Sequence, residues 1–192
     1  MLIDQDKELK QAVLNLPVME KDKLLLKLIS KDLVLLNQLR HQLLDGSESL
    51  DEKRELVTKD IDHNFDRIKN LMKNWPEFLT PGQLMMELRF MSGMVNEHVL
   101  ITKDKFGDIE LRTYILQKTY ELAPELLKEV NQKNRKLSMY LAARVKYILQ
   151  KYNSLHEDYQ YDLKDKLNPV LVCIHQSSAA IFAHELLLPK EV

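Results

Sequence analysis

Apolar residues recur at three- and four-residue spacing along almost the whole chain, and no segment alternates at period two. The pattern predicts helices and no strands. The first runs from about Asp4 to Leu14 and is stopped by Leu16-Pro17. A second covers Met19 to Ile29 and a third Lys31 to Asp45, with Ser30-Lys31-Asp32 either a tight turn between them or a blemish in one long helix. Asp45-Gly46-Ser47-Glu48-Ser49 is the clearest break in the chain. It predicts an N-terminal helical appendage over residues 1–45 and a main bundle over residues 49–192.

Ser49 and Glu52 have capping-box spacing, in which each side chain satisfies the other end's orphan N–H. Val57, Ile61, Phe65, Ile68, Met72 and Trp75 then form one apolar stripe on a helix about 39 Å long, ended by Pro76. Thr80-Pro81-Gly82-Gln83 starts the next helix, with Thr as N-cap and Pro in the first helical position. Its buried face is Leu84, Leu88, Met91, Val95 and Val99. Lys103 to Gly107 reads as a turn. A helix from Asp108 carries Leu116, Tyr120, Ala123, Leu127 and Val130, with a kink or break expected at Pro124. After a turn at Asn131 to Asn134, a helix reaches Asn153. Ser154 with Glu157 is a second capping-box pattern, and Asn168-Pro169 is expected to open a last helix. That helix is apolar on most sides and is expected at the centre of the bundle.

The segment Lys23 to Leu44 resembles a HEAT-type helical pair in its leucine spacing. The expected fold is all-α: an irregular antiparallel bundle of seven or eight helices, with that N-terminal hairpin attached.

Composition agrees. Leucine fills 36 of 192 positions, against four glycines, and 45% of the chain is apolar. That excludes a disordered chain and a β sandwich, which would need a turn every ~8–12 residues. Bases and acids nearly cancel, 28 against 29, so a global field suited to nucleic acid is missing. Cys173 is the single cysteine, which excludes an internal disulfide and a cysteine-rich zinc site. The N-terminus has no signal-like apolar core, and the charge-free stretch from Leu167 to His184 is broken by polar residues. The chain is expected to be cytoplasmic, without membrane contact.

The near-neutral total hides one exception. Between Asn131 and Asn153 there are six bases (Lys133, Arg135, Lys136, Arg144, Lys146, Lys151) and no acid. On a helix, Lys133, Lys136, Tyr140, Arg144, Tyr147 and Lys151 share an arc about 80° wide. Leu137, Leu141, Val145, Ile148 and Tyr152 occupy the neighbouring arc. Such a stripe can attract an acidic partner, or hold phosphates while its tyrosines stack on bases. It can also be neutralised by flanking acids: Glu121, Glu125 and Glu129 before it, and Glu157, Asp158, Asp162 and Asp165 after it.

Other clusters are weaker. Glu52 and Glu55 match the ExxE half of the motif of MazG-like and dimeric dUTPase-like nucleotide pyrophosphatases, but no ExxD follows on the next helix. The resemblance implies an Mg²⁺-dependent hydrolase. Asp158, Asp162 and Asp165 also share a face at metal-binding spacing. Asp60, Asp62, His63 and Asp66 form an acid–His group that reads as a solvated helix face. Cys173 and His175 splay apart on a helix, and His175 and His184 are expected as hydrogen-bonded core histidines. Met85, Met86, Met91 and Met94, beside Ser92-Gly93, are expected to pack in the core rather than to form an adaptable groove.

The leading expectation is a non-enzymatic helical interaction module that binds a protein partner or itself. Binding of nucleic acid or a phosphate ligand through residues 133–151 is the first alternative, and the hydrolase is the second. No catalytic residue, metal ligand or cofactor is assigned.

Overall fold

The computed structural model describes residues 4–44, 50–75 and 77–192. Among them the regular elements are helices, and no strand occurs. The chain divides into two compact units, Met1–Ser47 and Glu48–Val192. The Asp45 to Ser49 break, and with it the Ser49 half of the capping box, falls outside the described residues.

The first unit holds α1 (Lys7–Asn15), α2 (Val18–Ile29) and α3 (Leu33–Leu43). Each start has a cause in the sequence. The Asp6 carboxylate accepts from Leu9 N–H at 2.9 Å, and Asp32 accepts from Val34 and Leu35 N–H at 3.0 Å. Pro17 separates α1 from α2, since it cannot continue the first helix but suits the entry to the second. α2 packs against α3. None of the residues in these three helices is buried.

The second unit holds α4 (Leu50–Asn74), α5 (Pro81–Thr102), α6 (Lys105–Leu122), α7 (Arg135–Tyr152), α8 (Glu157–His175) and α9 (Ala180–Glu185). A 3₁₀ turn, Glu125–Leu127, follows α6. α6 packs against α4, α5, α7 and α8. Buried residues cover about two thirds of its circumference, from Gly107 and Asp108 to Thr119. The centre of the bundle is therefore α6, and not the last helix as its apolar character suggested. The core gathers Ile61, Phe65 and Ile68 of α4, Leu84 to Val95 of α5, Leu137 to Leu149 of α7, and Leu163 to Ile174 of α8.

Several boundaries differ from expectation. Trp75 lies beyond the end of α4 and is 61% exposed, so the apolar stripe stops at Met72. The Lys103 to Gly107 turn is compressed into two residues, Lys103 and Asp104. Lys103 takes the left-handed conformation (φ 60°), Asp104 caps α6, and Gly107 is already helical. α6 ends at Leu122, where Pro124 withholds an N–H, so the expected continuation to Val130 is replaced by the 3₁₀ turn.

Ser154 forms no capping box. Its hydroxyl donates back to the Lys151 carbonyl at 2.7 Å, and His156 Nδ1 caps α8 by accepting from Asp158 N–H. Pro169 opens no helix either, because α8 runs through it. Two hydrogen bonds tie this stretch to its surroundings. Gln117 Nε2 donates to the Lys166 carbonyl at 2.8 Å, and Val192 N–H donates to Asn168 Oδ1 at 2.9 Å.

Candidate functional site

α7 positions the basic stripe. Its entry is fixed by an asparagine pair. Asn131 Oδ1 accepts from the N–H groups of Lys133 and Asn134, and Asn134 Nδ2 donates to the carbonyls of Leu126 and Glu129. Lys133 sits in this turn, ahead of the helix, so it extends the stripe without belonging to its helical arc. Lys136, Tyr140, Arg144, Tyr147 and Lys151 do share the helix. The buried edge beside them is Leu137, Leu141, Val145, Ile148 and Tyr152.

Lys133, Lys136 and Lys151 are exposed, while Tyr140, Arg144 and Tyr147 are half-buried. The half-buried members form a ladder of cations and rings. The Arg144 guanidinium stands 5.2 Å from the Tyr140 ring centre and 5.8 Å from that of Tyr147. Arg89 of α5 lies 5.7 Å from Tyr140, and Arg112 of α6 lies 5.0 Å from Tyr147. Lys151 Nζ is 5.5 Å from Tyr147. Attraction of a cation to a ring face operates at these distances. Arg144 Nε is buried and has no acceptor among the described residues. The ring contacts are what hold its guanidinium in place.

Below the ladder is a buried polar pair that the sequence reading missed. Arg112 Nε donates to Asp108 Oδ1 at 2.6 Å, and its Nη2 donates to Asn96 Oδ1 at 2.6 Å. Asp108 is 3% exposed and Arg112 is 7% exposed. Tyr147 Oη donates to Asp108 Oδ2 at 3.3 Å. Asp108 and Arg112 are four apart on a helix, a spacing visible in the sequence. Their burial is set by the surrounding helices and is not visible there.

The flanking acids form no ion pair with the stripe among the described residues. Among the described residues, Arg89, Lys133, Lys136, Arg144 and Lys151 form no ion pair. Asp158 is 3.2 Å from His156, and Glu121, Glu125, Glu129, Glu157, Asp162 and Asp165 pair with none of the stripe residues. The stripe is therefore a row of cations without ion pairs among the described residues, of which Arg144 and Lys151 lie against rings, with one further cation, Arg112, balanced by Asp108.

A second polar cluster joins α4, α5, α6 and α8. His98 Nε2 lies 3.2 Å from Asp104 Oδ2, Asp104 Oδ1 accepts from Gly107 N–H, and Arg54 Nε is 3.0 Å from Asp104 Oδ2. Arg54 also pairs with Asp51 and Glu110, and Glu110 with Lys166. Burial raises the Asp104 pKa, but bonds from His98 and Gly107 and the charge of Arg54 outweigh it and leave the carboxyl below its usual range. An open cleft of about 540 Å³ adjoins this cluster, with Arg54, Phe106, His156 and Tyr159 among its walls. Its guanidinium already faces three carboxylates, so the cluster reads as a structural stitch. His98 was legible as one step beyond Val95 on the buried face of α5. The expectation placed no histidine there.

The remaining clusters are engaged locally. Glu55 pairs with Lys59 at 2.8 Å. Asp62 accepts from Tyr114 Oη and lies 3.7 Å from Lys118. His63 is exposed. Among the described residues no three His, Cys, Asp or Glu side chains gather as metal ligands would. Cys173 is half-buried, and burial raises its thiol pKa. His175 is half-buried with Nε2 3.1 Å from the Pro189 carbonyl, but His184 is exposed, which corrects its expected core position. Met91 is buried and Met85 and Met94 pack against the core, whereas Met86 faces out.

No helix of the described residues is long and apolar enough to cross a membrane. The chain matches no protein-family model, no curated protein and no solved structure.

Proposed function

We propose that the chain is a non-enzymatic docking module whose α7 stripe captures an acidic protein segment. The observation that carries this reading is the cation ladder. Arg89, Arg144 and Lys151 lie against Tyr140 and Tyr147 and have no carboxylate partner among the described residues. Cations already ordered by rings lose little side-chain freedom on binding, which lowers the cost of association. Their charge remains available to steer and orient a negative surface.

Nucleic acid or a phosphate ligand is the second reading, and the same cations favour it. The rings do not. Tyr140 and Tyr147 already stack on the protein's own guanidinium and ammonium groups, and Tyr147 Oη is bonded to Asp108. A base would have to displace those contacts before it could stack.

The test is fluorescence anisotropy at low salt with three labelled probes: an acidic helical peptide, a short DNA and a short RNA. The acidic peptide should bind more tightly than either oligonucleotide. Combined Arg144→Glu and Lys151→Glu should weaken peptide binding about tenfold or more, since each 1.4 kcal/mol is a factor of ten. Far-ultraviolet circular dichroism should stay unchanged. Tighter binding of an oligonucleotide, with a steep fall as salt rises, would move the assignment to the second reading. Peptide binding that ignores the double reversal would remove the stripe from either.

A further inference from the structure

The outward face of α5 carries a row of exposed residues. Met86 (61% exposed), Phe90 (59%) and Leu100 (47%) lie along it with Gly93 between them. Glycine weakens a helix interior, and it is kept where a backbone must come close. Among the described residues nothing requires it here, since a Cβ on Gly93 would meet no atom within 4 Å. Arg89 and Glu97 flank it. Both are exposed, and neither forms an ion pair among the described residues.

These positions are symmetric about Gly93. Arg89 and Glu97 lie four residues before and after it, about 40° to either side of its direction. Met86 and Leu100 lie seven residues before and after it, about 20° to either side. A sequence with this palindromic chemistry is complementary to its own reverse. Two antiparallel copies of α5 crossing at Gly93 would set Met86 against Leu100 of the second copy, and Arg89 against Glu97 of the second copy. Each contact would occur twice, as an isologous interface demands.

We infer that two copies of this chain associate through α5, around a two-fold axis at Gly93. The inference shares one residue with the α7 reading, Arg89, whose guanidinium lies 5.7 Å from the Tyr140 ring, while Met86, Gly93, Glu97 and Leu100 belong to this face alone. A single helix pair lies at the small end of specific interfaces, below ~1,200 Å², so the dimer is weak and concentration-dependent.

Sedimentation velocity on the full chain, titrated through the micromolar range, tests it. The wild type should pass from monomer to dimer. Arg89→Glu alone and Glu97→Arg alone each put like charges opposite one another and should weaken the dimer about tenfold or more. The double swap, Arg89→Glu with Glu97→Arg, should restore it. Gly93→Gln should weaken the dimer while raising the melting temperature of the monomer, since it removes a helix-weakening residue from open space. Arg144→Glu with Lys151→Glu should leave the dimer intact, which separates failure here from failure of the stripe. A chain that stays monomeric throughout overturns the inference. So does a dimer indifferent to Glu97→Arg, or one that the double swap does not rescue.

Discussion

A Cβ built on Gly107 would lie 2.2 Å from Asp104 Oδ2 and 2.7 Å from Arg54 Cδ. The absence of a side chain at Gly107 is what lets the Asp104 cap and the Arg54 guanidinium close over the start of α6. In an open helix, Gly→Ala gains about 1 kcal/mol. Here Gly107→Ala should do the opposite and lower stability by about 1–3 kcal/mol, the usual scale of overpacking. Urea unfolding of the two proteins decides the sign, and a stabilised alanine variant would refute this account of the turn.

Asp104 gives the fold a defined acid sensitivity. Its pKa in the folded chain is below the ordinary 3.8. A lowered carboxylate pKa means stability that is present above the unfolded value and lost as pH falls through the folded one. Asp104→Asn should therefore be less stable than the wild type at pH 7, by about 1–3 kcal/mol for a lost charged hydrogen bond. The gap should narrow below pH ~4, as the wild-type carboxyl takes up its proton. Parallel urea titrations at pH 7 and pH 3 measure it. An equal gap at both values would place the contribution elsewhere.

Removing one half of the buried Asp108–Arg112 pair should be severe. Asp108→Ala leaves the Arg112 charge buried opposite Tyr147, a change that costs about 3–5 kcal/mol in comparable pairs. Replacing both, Asp108→Leu with Arg112→Met, should recover most of that loss, because neither buried charge then remains. A double-mutant cycle by chemical denaturation reads the coupling. Additive losses would show that the two residues act independently.

Trp75 is the only tryptophan, and it is 61% exposed just past the end of α4. Its emission should resemble that of an indole in water and should shift little when the protein unfolds. Circular dichroism should then report the transition that tryptophan fluorescence misses. A large blue shift in the native state would place Trp75 in an apolar environment instead.

Much of this architecture is written locally. The Thr80 box is formed as its spacing predicts: Gln83 N–H donates to Thr80 Oγ1, and Gln83 Oε1 accepts from Thr80 N–H. The stripes that bury Ile61, Phe65 and Ile68, or Leu84, Leu88 and Met91, follow the helical period. Local rules fail where tertiary contacts override them. Pro169 would normally mark a boundary, yet α8 is held on both sides of it by core residues Leu167 and Val170. Gly107 looked like a turn residue, but the packing of Arg54 and Asp104 needs it inside the helix.

The α7 stripe was legible as a charge pattern; the helical period grouped all six residues, and five of them lie in α7. Its geometry was not legible. The cations that occupy its rings include Arg89 and Arg112, which come from α5 and α6 and are remote in sequence. Spacing along α7 shows the four-residue pairs Tyr140–Arg144 and Tyr147–Lys151, but not the partners that come from other helices. The α5 face was legible in part. Met86 was expected to pack with Met85, Met91 and Met94, yet the helical period turns it away from Met91, and it is exposed.

The three helices of the first unit bury no residue, while α6 is enclosed by four others. Protection of backbone amides follows local stability, so the chain should show two thermodynamic layers. Amides of α1 to α3 should exchange with solvent through small local openings. Those of α6 should exchange only when the whole second unit comes apart. A denaturation midpoint measured for the full chain is then a property of α4 to α9, and substitutions among the N-terminal leucines should leave that midpoint almost unmoved.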